Sequence, residues 1–337
     1  MTKLIFNLVL FAHSNIATGN SIIMKMKTKY NLSEDLINFI GEILVHGSNT
    51  IKSVSKKWIH IGGGRFSEVF GTTVNFVDDT SMPVVIKLIK KKHFADNENY
   101  EISQRACNEA VSMNKLRHTS QDSKNHYIAE ILGAYNTDEY FVILENRYEQ
   151  TLQDRIEVYG ILSHRKGQII ARQLIESIEY IHSHNYLHRD LKPADIFLEL
   201  SEYRSDIKNI RIGDFGLCKL VEKAEENTDY SSYFLSEFQA PEIDTGEMCN
   251  NKCDIWSLGA IIYYMLSGSA PFKGTNLEQI KENKKKNTPC YDNGYFLDDE
   301  VNFIKKCLEP DPEKRASIAE LKKEPYFLQD YDNDAFD

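Results

Sequence analysis

Asp190 lies in LHRDLKPADIFL, Leu187 to Leu198, with Arg189 before it, Lys192 just after it and Pro193 closing the charged run. A solvated turn has no need of such dense charge set between apolar residues; the pattern is that of a carboxylate held ready for use. Asp214 follows in IGDFGL, between two glycines at the end of a strand-like run, a natural place for an oxygen ligand to a hard cation. Upstream, VVIK ends at Lys87. A lysine ending a buried strand is costly unless paired, the alternative being an edge lysine that snorkels to water. Glu109 in CNEAVSMNKL, on a helix face carrying Val111, Met113 and Leu116, is the candidate partner, and such a pair would hold the ammonium where phosphate oxygens bind. Earlier still, IGGGRFSEVF (Ile61 to Phe70) places three glycines in a row. Bare backbone lets N–H groups approach an anion closely. Alone, this stretch reads equally as a phosphate cradle or as a flexible turn between strands.

The elements that must position these residues change character along the chain. From Trp58 to about Ile143 the runs WIHIGGG, SEVFGTTVNFV, MPVVIKLI and EYFVILE are short, β-branched and alternating, which predicts strands. One helix interrupts them, roughly Tyr100 to Leu116. From Thr151 on the pattern turns helical: GQIIARQLIESIEYIHSH is amphipathic, and DIWSLGAIIYYMLSG is an apolar helix that Gly268 should stop. A β-rich region followed by an α-rich one is an α+β order, with the boundary near Asn146 to Gln150. Before Trp58, NLSEDLINFIGEILV repeats Leu32, Leu36, Phe39, Ile40 and Ile43 at helical spacing, with Asn31 and Glu34 as a capping box; nothing in the sequence names what this helix packs on. The expected organisation is a leader over residues 1–30, a helical extension over 31–57, a β-rich lobe over 58–147, an α-helical lobe over 148–328 and an acidic tail over 329–337. No internal repeats or low-complexity linkers are seen.

Bulk properties set bounds. With 337 residues, 42% hydrophobic and 27% charged, the chain can bury one large core or two. A net charge of −10 argues against general nucleic-acid binding, which needs a basic footprint. The six cysteines form no C-x-x-C pair, and Cys249 and Cys253 have no partner pair at metal-ligand spacing, so buried or free thiols are expected. Lys3, the apolar run Leu4 to Ala12 and the small residues Ala17 to Gly19 resemble a signal peptide; the competing reading is a leader with initiation at Met24 or Met26. The run is too short to span a bilayer. The expected location is cytoplasmic, or the secretory pathway if Met1 to Gly19 is a signal. Oligomeric state is not legible.

In order and at family-like spacing, the glycine-rich stretch, V-x-I-K, the helix glutamate, H-R-D-L-K-P, D-F-G, A-P-E at Ala240 to Glu242, DIWSLG at Asp254 to Gly259 and the late Arg315 resemble the eukaryotic protein kinase family, serine/threonine type, over roughly Trp58 to Leu328. The resemblance also decides the opening glycines, since a dinucleotide loop leads into a helix and this one leads into a strand. It implies a bilobal kinase-like fold, ATP with Mg²⁺ (Mn²⁺ as an alternative) as cofactors, and a protein substrate. Ile61, Gly62, Gly63, Gly64, Ser67 and Val69 would lie over the nucleotide. Lys87 would hold the α/β-phosphates, oriented by Glu109. Asp190 would accept the substrate proton, Lys192 steady the γ-phosphate, and Asp214 and Asp195 ligate metal. Leu144 would be the gatekeeper, Glu145 and Arg147 would offer backbone groups to adenine, and Val85 and Phe197 would close above and below the ring. His188, Phe215 and Met113 would belong to the stacked apolar spine. Arg189 would pair with a phosphate on the activation loop, where Thr228, Ser231 and Ser232 are candidates beside Tyr230 and Tyr233; the competing reading is a plain polar loop.

Four departures from the family pattern bear on activity. Ser67 replaces the third glycine. Val85 and Phe197 tighten the adenine slot. Asp195 replaces the asparagine that binds the second metal; at an effective dielectric near 20, one more negative charge about 4–8 Å from another costs roughly 2–4 kcal/mol, or roughly 30- to 1000-fold in rate if it falls wholly on the transition state. Leu235 replaces the threonine that normally bonds the catalytic aspartate and lysine. The rival readings are therefore a pseudokinase or regulatory scaffold and, less in keeping with intact A-P-E and DIWSLG, a small-molecule kinase. Thr151 and Ala194, where acids select basic substrates, carry none.

Overall fold

The computed structural model describes residues 33–63, 67–91, 96–117, 127–137, 139–201, 207–221, 236–245, 249–291 and 294–328. They form two compact units: one comprises the described residues up to Arg117 with Ala129–Arg147, the other Tyr127, Ile128 and the described residues from Tyr148 on.

The first unit is built on an antiparallel sheet. Helix α1 (Glu34–His46) precedes strands β1 (Ile51–Val54), β2 (Ile59–Gly63), β3 (Ser67–Phe76) and β4 (Ser81–Lys90); helix α2 (Asp96–Leu116) then leads to β5 (Ile131–Asn136) and β6 (Tyr140–Asn146). The sheet runs β1-β3-β4-β6-β5, with β2 also pairing β3. Because side chains alternate along a strand, Val84, Ile86 and Leu88 of β4 enter one core while Val85 and Lys87 face the other way. Ile40 and Leu44 of α1, both at 0% exposure, enter that same core with Phe70, Val74 and Val142. The sheet face is thus the partner the sequence left unnamed, and each buried aliphatic contributes about 1.5–3 kcal/mol. The helix is capped by Ser33, whose side chain accepts from the Leu36 amide, and not by Asn31, which lies outside the described residues. Ser33 fits because it directly precedes the first helical residue in extended backbone.

The second unit is mainly helical. After the short β7 (Gln150–Thr151) come α3 (Leu152–Tyr159) and α4 (His164–Ser183), then β8 (Tyr186–Leu187), β9 (Ile196–Leu200), β10 (Ile207–Ile212) and β11 (Lys219–Leu220), and finally α5 (Pro241–Asp244), α6 (Lys252–Ser267), α7 (Leu277–Lys286), α8 (Asp298–Cys307), α9 (Ile318–Leu321) and α10 (Pro325–Leu328). Helix α6 is apolar all round and packs between α4 and α8, as such a helix must. Gly268 ends it at φ +74°, a left-handed cap that glycine adopts without strain. Two small sheets, β10-β9-β7 and β11-β8, carry the loops that hold the charged residues.

The expectation of thiols throughout fails at one place. Cys249 and Cys253 are joined by a disulfide, their Cα atoms 6.0 Å apart across a four-residue separation, a distance a disulfide spans. Cys107, Cys218, Cys290 and Cys307 remain thiols. Among the described residues no helix is long and apolar enough to cross a membrane. The signal-like segment Met1 to Gly19, Gly64, the activation-loop candidates Thr228, Ser231 and Ser232, and Leu235 lie outside the described residues.

Candidate active site

In the first unit the face of the sheet opposite α1 carries the nucleotide candidates. Antiparallel register places Val69 opposite Lys87 and Gly71 opposite Val85. The β2–β3 hairpin returns with Gly63 opposite Glu68, so the glycine-rich stretch does lead into a strand. A Cβ at Gly63 would come within 2.8 Å of the Ser67 carbonyl oxygen, which explains glycine there. Lys87 Nζ donates to both carboxylate oxygens of Glu109, at 2.7 and 2.8 Å. Glu109 is 3% exposed on a face of α2 shared with Ala106, Met113 and Leu116, while Val111, assigned to that face from the sequence, is half-buried. A buried carboxylate needs this partner, and a lysine held by a carboxylate is fixed in position for a third group.

Leu144 does not join this face. It pairs with Ile86 across β4 and β6 and lies in the core under α1, while Ile143 stands opposite Lys87 and Glu145 opposite Val85. With a period of two, neighbouring residues face opposite ways, so Leu144, expected as the gatekeeper, lies off the Lys87 face, which Ile143 and Glu145 share. Arg147 reaches the same face: a Cβ on Gly71 would meet its Nη1 at 3.0 Å.

In the second unit the β9–β10 hairpin sets the carboxylates. Ile196 pairs with Ile212, and the Gly213 amide donates to the Asp195 carbonyl at 2.9 Å, so Asp195 and Asp214 flank the paired ends of two strands. Lys192 Nζ lies 2.9 Å from Asp190 Oδ2, 3.3 Å from Asp195 Oδ2 and 3.8 Å from Asp214 Oδ2. One cation thus serves three carboxylates. Burial works against its charge, but Asp195, Asp190 and Asp214 more than offset that and raise the ammonium's pKa. Burial raises the Asp190 carboxyl, with Lys192 opposing. It raises Asp195 well above the usual carboxylate range, Lys192 again opposing and Asp214 adding to the rise. Asp195 Oδ2 is buried and, among the described residues, has the Lys192 ion pair but no well-formed hydrogen bond. Of these three carboxylates, Asp195 and Asp214 offer the oxygen donors that a divalent hard cation takes.

The backbone here is fixed from below. Asp254, at the start of α6 and 0% exposed, accepts from the His188 amide at 2.9 Å, the Arg189 amide at 2.8 Å and His182 Nε2 at 2.8 Å. Arg189 and Asp214 sit at φ +73° and +54°, a left-handed conformation costly for residues with a Cβ. His188 Nε2 donates to the Gly213 carbonyl at 3.0 Å, burial depresses its pKa, and its ring lies 4.7 Å from that of Phe215. Arg189 Nε is buried without a hydrogen-bond partner among the described residues. Phe197 stacks on Tyr148 at 5.1 Å. Arg315 makes a two-pronged pair with Glu242, at 2.6 and 3.0 Å.

Two features were not found in the sequence. Gln239 Nε2 donates to Asp190 Oδ1 at 2.8 Å. Lys284, 1% exposed, donates to Asp244 Oδ2 at 2.7 Å and to the Ser236 carbonyl at 2.8 Å. The only signal for the first was the loss of a donor at Leu235, which asks for a replacement; a lysine in the KKK run ending α7 gave none for the second.

Residues 55–327 match the family model described as a protein kinase domain. The chain is 31% identical over 267 residues to a probable serine/threonine-protein kinase of Dictyostelium discoideum, covering 77% of this chain and 30% of that one. It is 29% identical over 275 residues to a probable myosin light chain kinase of the same organism, covering 80% and 66%, and 27% identical over 270 residues to a calcium/calmodulin-dependent protein kinase of Emericella nidulans, covering 78% and 61%. The chain thus spans less than two thirds of the length of these relatives. With the family model covering most of the chain, and the ordered motifs running through an antiparallel sheet unit and then a helical one, the chain belongs to the eukaryotic protein kinase family.

Proposed function

We propose that the chain is a serine/threonine protein kinase that transfers the ATP γ-phosphate to protein hydroxyls, with an atypical second metal position at Asp195. The observation that carries this reading is the grouping of Asp190, Asp195 and Asp214 around Lys192 Nζ within 3.8 Å. In this reading Lys87, fixed by Glu109, holds the α/β-phosphates. Lys192 steadies the γ-phosphate, and Asp190 orients the hydroxyl and takes up its proton; its raised pKa suits a proton acceptor. Asp214 and Asp195 would hold Mg²⁺, which when bound neutralises charge on the β/γ-phosphate oxygens. Ile61, Gly62, Gly63, Ser67, Val69, Val85 and Phe197 enclose the nucleotide, and the backbone at Glu145 and Arg147 meets adenine. The lysine of H-R-D-L-K-P favours serine and threonine as acceptors. Arg189, with its buried Nε, suits control by a phosphate on the segment holding Thr228, Ser231 and Ser232.

A second reading, a regulatory pseudokinase, draws on the excess of carboxylate over ammonium at Lys192. Phosphate transfer from labelled ATP to the protein itself and to a mixed protein substrate separates the two. The assay runs in Mg²⁺ and in Mn²⁺ beside Asp190→Asn and Asp195→Asn. Transfer lost in Asp190→Asn and kept or raised in Asp195→Asn is the expected result; activity appearing only in Asp195→Asn establishes the second reading.

A further inference from the structure

Asp190 is gripped at both oxygens. Lys192 Nζ donates to Oδ2 at 2.9 Å, and the Gln239 side-chain amide donates to Oδ1 at 2.8 Å. Gln239 is 2% exposed, next to the A-P-E alanine. It is itself locked by a tight turn: its Oε1 accepts from the Ser236 amide at 3.0 Å, and its own amide donates to the Ser236 carbonyl at 3.2 Å. That carbonyl also accepts from Lys284 Nζ at 2.8 Å, and Lys284 is paired with Asp244. The amide that reaches Asp190 therefore cannot swing away without breaking the turn and leaving buried polar groups unpaired.

The sequence lacks a donor where the family supplies one, since Leu235 has only hydrocarbon to offer. We propose that Gln239 is the positioning residue that replaces it. Its amide hydrogen bond fixes the rotation of the Asp190 carboxylate, leaving that group aimed at the substrate hydroxyl, and the turn from Ser236 to Gln239, tied down by Lys284, carries this aim into the segment beside the catalytic loop. The role rests on the kinase reading above. It deepens that reading by naming how the site works without the usual threonine. A carboxylate free to rotate samples productive orientations for a smaller fraction of the time, so the loss falls on turnover and not on nucleotide affinity.

The test compares full-length wild type, Asp190→Asn, Gln239→Met, Gln239→Glu and Gln239→Met/Leu235→Thr in steady-state phosphotransfer, with thermal unfolding measured alongside. Gln239→Met keeps the shape and removes the donor. Gln239→Glu keeps the acceptor for Ser236 and removes the donor, so it reports even if the methionine variant folds poorly. Both should lower kcat by about 10- to 100-fold, the range for one hydrogen bond to a charged group, with KM for ATP within about twofold of wild type. Leu235→Thr should recover about tenfold or more in the methionine background, which a merely structural defect at Gln239 does not allow. If wild type far exceeds Asp190→Asn while both Gln239 variants keep kcat within about twofold of wild type, or if the threonine restores nothing, the proposal is overturned and the kinase reading stands. A wild type no faster than Asp190→Asn overturns the kinase reading instead.

Discussion

Asp254, at 0% exposure, and Asp195, at 4%, are buried to nearly the same degree in the same unit, yet their carboxyls are displaced in opposite directions. At both, burial acts to raise the pKa. At Asp254 the hydrogen bond from His182, the neighbouring His182 and His188 imidazoles and the amide of Arg189 overcome it and hold the carboxyl below the usual range. At Asp195 the Lys192 ammonium at 3.3 Å is shared with two other carboxylates, and the carboxyl is pushed well above that range. Asp244 lies between: burial raises it, and Lys284 at 2.7 Å answers at one oxygen while Oδ1 makes no hydrogen bond among the described residues. The difference teaches that depth does not set the state of a buried carboxylate here; the number of donors aimed at it does. A fully satisfied carboxylate is a strut. One short of donors is a charge waiting for a cation.

Removing the strut should have the largest effect. Asp254→Ala leaves the amides of His188 and Arg189 and the His182 ring without their acceptor, and the left-handed backbone at Arg189 loses what holds it. Breaking a buried charged network of this kind costs about 3–5 kcal/mol. Urea denaturation of the full chain should show that loss, and phosphotransfer should fall by at least about 100-fold as Asp190 is displaced. The pH dependence follows from the sign of the shift. A depressed carboxyl contributes stability that is present above its unfolded pKa and lost as pH falls through the folded one. Wild type should therefore lose stability below about pH 4 through this group, and Asp254→Ala should not show that component. An unfolding midpoint in Asp254→Ala equal to wild type at pH 7 would falsify the strut.

The middle case sharpens the comparison. Lys284→Met leaves Asp244 buried with its charge uncompensated and should cost about 3 kcal/mol, whereas Lys284→Met/Asp244→Leu, which removes both charges, should recover most of it. If the double variant is no more stable than the single one, the pair acts through packing and the donor count is the wrong variable at this site.

How much of this could be read from residues alone depended on the range of the interaction. Lys87, Glu109, Asp190 and Asp214 were found because fixed spacing to glycines, prolines and apolar runs marks them. Glu242 and Arg315 were named from the resemblance to the kinase motifs, and the structure pairs them at 2.6 Å. The alternation of β4 was legible too, and it carried Val85 and Lys87 to one face. Leu144 was named from the resemblance alone; that it pairs with Ile86 and turns from the Lys87 face is a long-range fact no local pattern shows. The Cys249–Cys253 disulfide was missed because metal spacing, not the reach across one turn, was the test applied. Gln239 and Lys284 act through contacts 49 and 48 residues away in sequence, with no local pattern to announce them.

The smallest expected effect, and the one of opposite sign, is at Asp195. Its folded pKa lies above its unfolded value of about 3.9, so between the two the native state binds more protons and stability falls as pH rises, by up to about 1.4 kcal/mol per pH unit until the folded pKa is passed. Above it the cost is constant. Asp195→Asn removes that cost, so in chelator-treated buffer at pH 8 the variant should be more stable than wild type, and the gap should close as pH approaches 4. Adding Mg²⁺ should stabilise wild type more than the variant, because Asp195 Oδ2, which makes no hydrogen bond among the described residues, is what a cation would take up. Asp254→Asn run in parallel should differ in sign and in metal response: less stable than wild type at pH 8 and indifferent to Mg²⁺, its gap also closing in acid. If instead Asp195→Asn destabilises in chelator at pH 8, then Lys192 already satisfies Asp195 as fully as the loop amides satisfy Asp254, and the excess of negative charge argued for this site does not exist.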